Sequence, residues 1–108
     1  MDKAINKTIT NYIKLIREKY TDFESVYLFG SYARGNSNQD SDIDLALIFK
    51  NLDDSERFDV QVQLMILASQ VDTRIEPHPI SHDDFYSENP FVAEIKKTGF
   101  KLFGNDLI

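Results

Sequence analysis

Residues 27–49 read YLFGSYARGNSNQDSDIDLALIF, and their reading decides the fold. The β-rich run ESVYLFG stops at Gly30, where a glycine lets the chain turn. A polar loop follows, and then DIDLALIF resumes an extended hydrophobic pattern that opens on two acids. In a strand, Asp42, Asp44, Ala46 and Ile48 share one face, and Ile43, Leu45, Leu47 and Phe49 share the other. Two carboxylates on one face of an apolar strand are costly unless a cation satisfies them. That face is therefore read as a site, with the core on the opposite side.

Upstream, Ile5, Ile9, Ile13, Ile16 and Tyr20 recur at helical spacing, with Asp2 as the expected cap. Downstream, DDSERFDVQVQLMILASQ reads as a helix capped from Asp53, Asp54 or Ser55, with a stripe of Phe58, Val62, Met65 and Ser69. DTRIEPHPI reads as a third strand, its end confined by Pro77 and Pro79 to a sheet edge or to departure from the sheet. SHDDFYSENPFVAEIKKTG holds one or two short helices ending at Gly99, and FKLF a short terminal strand. The α-β-β-α-β-α order predicts an α/β (α+β) fold, a small mixed sheet flanked by helices. The dense late aromatics Phe85, Tyr86, Phe91, Phe100 and Phe103 are expected mostly against the sheet, some at a partner surface.

Composition narrows the function. The chain has 108 residues, which predicts one domain over 1–108. Eighteen acidic against 12 basic residues give a net charge of -6, which argues against broad nucleic-acid binding or an anionic membrane surface. No cysteine is present, so thiol catalysis and cysteine-held zinc are excluded. The polar start and the lack of a long apolar stretch predict a cytoplasmic protein without membrane association.

The chemistry converges on a metal-assisted nucleotide site. Asp42 and Asp44 lie about 6.5 Å apart along a strand, and oxygen ligands of this kind suit Mg²⁺ shared with phosphate oxygens. Gly30 allows close backbone approach, and Ser31 is expected to cap a short turn whose free N–H groups face phosphate. Arg34 is placed to contact phosphate or to pair with Asp40. The phosphate-loop lysine motif, the dinucleotide glycine fingerprint and the kinase motifs are all missing. His78 and His82 have HxxxH spacing, but Pro77 and Pro79 argue against the helix that a zinc pair would need.

The segment GSYARGNSNQDSDID resembles the GSx10DxD signature of the polymerase-β-like nucleotidyltransferase superfamily, and the short chain is most similar to its minimal nucleotidyltransferase branch. That resemblance implies a metal-binding pair at Asp42 and Asp44 and phosphate contacts at Gly30 and Ser31. It also implies a third carboxylate from a later strand, with Glu76 preferred as ligand and catalytic base and Asp72 as the alternative. Two Mg²⁺ ions and ATP follow from the family, as does attack on the α-phosphorus with release of pyrophosphate. Relatives in this branch pair with a small helical HEPN ribonuclease toxin and act as antitoxin by transferring AMP to a toxin tyrosine. With the acceptor site expected from a partner chain or an oligomer, homo- or hetero-assembly is anticipated. Two rival readings are transfer to a small-molecule hydroxyl, as in aminoglycoside modification, and a non-catalytic module that neutralises its partner by binding.

Overall fold

The computed structural model describes residues 3–103, so the Asp2 cap lies outside the described residues, as does the side chain of Phe103. The chain runs α1 (Lys3–Lys19), β1 (Phe23–Phe29), α2 (Ser31–Arg34), β2 (Ile43–Phe49) and a 3-10 turn (Asp54–Glu56). It continues as α3 (Arg57–Ser69), β3 (Ile75–Ser81), α4 (His82–Phe85), α5 (Pro90–Thr98) and β4 (Phe100–Phe103). The sheet order is β3-β2-β1-β4. β1 pairs antiparallel with β2 and with β4, while β2 and β3 run parallel. The mixed sheet with flanking helices is the expected class, and β3 takes the edge that its two prolines require.

Alternation along the strands builds two layers. Val26, Leu28, Ile43, Leu45, Leu47, Phe49 and Ile75 face α1 and α3 in the main core. Ala46, Ile48 and Ile80 face the other way and pack with Phe85, Val92 and Ile95 of α4 and α5. This second layer covers only part of its face. The start of β2, carrying Asp44, and the start of β3, carrying exposed Glu76, remain open on it.

Two helix faces differ from the sequence reading. In α1 the buried stripe is Ile5, Ile9, Tyr12 and Ile16, with Ile13 only partly buried. Tyr12 is fully buried, and its hydroxyl donates to the Leu64 carbonyl at 2.8 Å. Burial pushes its phenol well above the usual range. Tyr12→Phe should cost about 1 kcal/mol in urea unfolding, since one buried hydrogen bond joining α1 to α3 is lost.

In α3 the expected stripe faces outward: Phe58 is 75% exposed, Met65 51% and Val62 39%. Leu64 and Ala68 are buried instead. The segment is apolar on several sides, so period alone does not choose a face. Polar anchors choose it. Arg57 bridges Asp54 and Asp84 at 2.9 and 2.8 Å, and Gln61 donates to the Pro77 carbonyl at 2.6 Å. These turn the 57, 61, 64, 68 stripe toward the sheet. Asp53, rather than Asp54 or Ser55, caps this region, forming a capping box with Glu56. Of the late aromatics, Phe85 is buried, while Tyr86, Phe91 and Phe100 are 62%, 46% and 56% exposed.

Candidate active site

β1 ends at Phe29 and the chain turns at Gly30, which adopts φ 77°, ψ -153°. This backbone region is essentially reserved for glycine. Ser31 was the expected cap of the following turn. Gly30 occupies the N-cap position instead, no side-chain cap bond forms, and Ser31 is the first residue of α2. The turn brings Gly30 directly over Asp44. A Cβ added at Gly30 would collide with Asp44 Oδ2 and lie 3.2 Å from its Cγ. The glycine turn and the strand acid are thus one structural unit, because Phe29 and Asp44 are cross-strand partners.

The parallel register then sets a further carboxylate, Glu76, beside Asp44. Asp44 is paired with Glu76, and Ala46 with His78. Ligand atoms of Asp44, Glu76 and His78 all lie within 4.8 Å of one another. Asp42 was expected inside the strand. It lies just before β2 and is exposed, yet its charge still acts on Glu76. Partial loss of water contact, then repulsion from Asp42 and Asp44, hold the Glu76 carboxyl above the ordinary carboxylate range, with His78 pulling the other way. A carboxyl with raised pKa favours the folded state while protonated, and that contribution is lost as pH rises through its folded value. The metal-free protein should therefore become more stable at neutral pH in Glu76→Gln, as read by thermal unfolding in a chelator. Clustered oxygen donors that repel one another are the chemistry a hard divalent cation satisfies, so this donor set fits one.

Asp72, the alternative third carboxylate, is otherwise engaged. It sits in the turn before β3 and accepts from Arg74 through Nη2 at 2.7 Å, Nε at 3.1 Å and the backbone N–H at 2.9 Å. The Arg74 guanidinium holds its carboxyl below the usual range. Such a group contributes stability above its unfolded pKa and loses it as pH falls through the folded value. Asp72→Asn should leave transfer near the native rate and lower stability at neutral pH, with the difference closing in acid. Arg74 Nη1 also donates to the Tyr32 hydroxyl and to the Gln39 carbonyl, both at 3.2 Å. Tyr32 in turn donates to the Asn38 carbonyl at 3.2 Å. This clasp fixes the loop between Gly30 and Asp42. Arg34 stands exposed at the end of α2.

His78 is the residue that sequence reading set aside. Its signal was the two-residue spacing from Glu76 on one strand, which puts both side chains on the same face. His82 goes elsewhere, with Nδ1 2.8 Å from Glu24 Oε1. A cavity of about 810 Å³ between α1, the Gly35–Gln39 loop and β4 is lined by none of these acids. The acid cluster lies on the open sheet face.

The polymerase beta nucleotidyltransferase family matches residues 11–107. The chain belongs to that family. A candidate protein adenylyltransferase of Methanocaldococcus jannaschii, MJ1305, is 32% identical to this nucleotidyltransferase over 94% of its chain and 72% of the relative. Protein adenylyltransferase MntA of Shewanella oneidensis is 35% identical over 59% of this chain, a match spanning 45% of MntA. A toxin–antitoxin crystal structure with AMP-PNP is similar at 28% identity and a TM-score of 0.61, covering 88% of this chain and 73% of that one. The structure of a candidate nucleotidyltransferase from Sulfolobus solfataricus covers 99% of the chain and is covered over 92%, with a TM-score of 0.66 at 20% identity, which is likeness of fold. Among the described residues, no helix is long and apolar enough to cross a membrane.

Proposed function

We propose that this nucleotidyltransferase moves the adenylyl group of ATP onto a partner protein, a tyrosine of a HEPN-type toxin, and so acts as an antitoxin. The observation that carries the chemistry is the seating of Gly30 on Asp44 with Glu76 alongside, a glycine turn beside paired acids on one open face, which supports phosphate and cation binding there. The acceptor class is supported by the protein adenylyltransferases at 32% and 35% identity and by the toxin–antitoxin likeness with AMP-PNP.

In this reading Gly30 and Ser31 hold the β- and γ-phosphates through backbone and hydroxyl donors, with Arg34 reaching in from the end of α2. Asp42, Asp44 and Glu76 hold divalent cations, two Mg²⁺ ions by the family pattern. Bound there, the cations supply charge stabilisation to the triphosphate oxygens. Glu76, whose environment favours proton uptake, takes the proton of the tyrosine hydroxyl. The tyrosine oxygen bonds to the α-phosphorus, the bond from that phosphorus to the bridging oxygen breaks, and pyrophosphate leaves. Label at the α-position of ATP should enter the partner protein, while label at the γ-position should be released. γ-Label retained on protein would mean kinase chemistry, and no label on any protein would exclude a protein acceptor.

A further inference from the structure

The proposed site holds a donor that an all-carboxylate centre does not need. His78 Nε2 lies 3.3 Å from Asp44 Oδ1, and Glu76 completes the group. We propose that His78 gives an imidazole nitrogen to the same divalent cation that Asp44 and Glu76 hold. The site would then be mixed nitrogen–oxygen and prefer Mn²⁺ or Co²⁺ to Mg²⁺. This inference rests on the metal-site reading above.

Three observations carry it. The first is distance. N–H···O hydrogen bonds cluster near 2.9–3.0 Å. Two ligands held about 2.2 Å from one ion at right angles lie roughly 3.1 Å apart. At 3.3 Å, the His78 nitrogen and the Asp44 oxygen are near enough to serve one ion as adjacent ligands.

The second is how the ring is held. His78 packs against Phe29 at 5.1 Å and Phe91 at 6.1 Å between ring centroids. Its cross-strand partner is Ala46, whose small side chain leaves room for the imidazole to lie over β2 toward Asp44.

The third is the division of the Asp44 carboxylate. Oδ1 faces His78, while Oδ2 lies beneath Gly30, on the phosphate side. One oxygen is thus directed to an ion shared with His78 and Glu76, and the other to the triphosphate side of the site. Imidazole suits later transition ions better than Mg²⁺, which selects almost pure oxygen sets.

The test is pulsed EPR of Mn²⁺ bound to the native protein with inorganic tripolyphosphate, which offers phosphate oxygens and no nitrogen. The native spectrum should show ¹⁴N modulation from a directly bound imidazole. His78→Phe, which keeps a ring between Phe29 and Phe91, should lose the modulation. It should also bind Mn²⁺ about tenfold or more weakly, with a smaller change for Mg²⁺. Mn²⁺ bound to the native protein without ¹⁴N modulation would overturn the inference and leave His78 as a hydrogen-bond donor orienting Asp44. Failure of Mn²⁺ to bind the native protein at all would overturn both this inference and the metal-site reading. The native spectrum decides the matter even where the variant does not fold.

Discussion

Asp44→Asn should abolish nucleotidyl transfer while making the metal-free protein more stable. Asp44 is held in β2 with its side chain 21% exposed, and both its oxygens point at groups of the site. Asparagine keeps the shape, so the strand and the Gly30 turn should survive. What disappears is the negative charge that repels Glu76 and that the proposed mechanism assigns to cation binding. Loss of that charge should cut transfer by on the order of a thousandfold or more. The same change relieves Glu76, whose raised carboxyl pKa costs stability once pH has risen through it. In chelator at neutral pH the variant should therefore unfold at a higher temperature than the native protein, and divalent cation should no longer raise that temperature much. Transfer retained near the native rate would remove Asp44 from the mechanism.

Gly30→Ala should damage both fold and activity, for two separable reasons. Backbone at φ 77°, ψ -153° is open to glycine and strained for alanine, at about 1–3 kcal/mol. The new methyl would also overlap the Asp44 carboxylate. Either the turn lifts or Asp44 swings away, and in both cases the glycine turn and Asp44 lose the alignment on which the proposed site depends. A loss of transfer on the order of a hundredfold or more is expected. A double-mutant cycle separates the causes. In an Asp44→Ala background the carboxylate is gone, so Gly30→Ala should cost only the backbone strain. Equal stability costs in the two backgrounds would mean that the collision contributes nothing.

How much of this was legible in sequence depended on whether one local rule decided the outcome. The glycine turn and Asp44 were legible because glycine marks the bend and strand alternation fixes the side of Asp44, whereas Asp42 falls just short of β2. The edge position of β3 was legible because Pro77 and Pro79 cannot donate to a ladder. Preferring Glu76 to Asp72 followed from position inside the strand, and β3 pairs Glu76 with Asp44 in register. The outward turn of Phe58, Val62 and Met65 was not legible. It depends on Arg57 finding Asp84 and Gln61 finding the Pro77 carbonyl, both distant in sequence. His78 was missed for a similar reason: the zinc-pair spacing with His82 drew the reading, while its neighbour Asp44 is 34 residues away. The Arg74 clasp on the 35–42 loop joins β3 to a segment that no periodicity connects to it.

The central claim, transfer of adenylyl groups to a protein, is tested most directly by intact mass spectrometry. The HEPN-type partner would be incubated with this protein, ATP and divalent cation, with Asp44→Asn as the parallel reaction. The expected result is a gain of one or more adenylate masses on the partner, carried on tyrosine and seen only with the native nucleotidyltransferase. An unmodified partner that nevertheless forms a stable, neutralised complex with both forms would contradict the account.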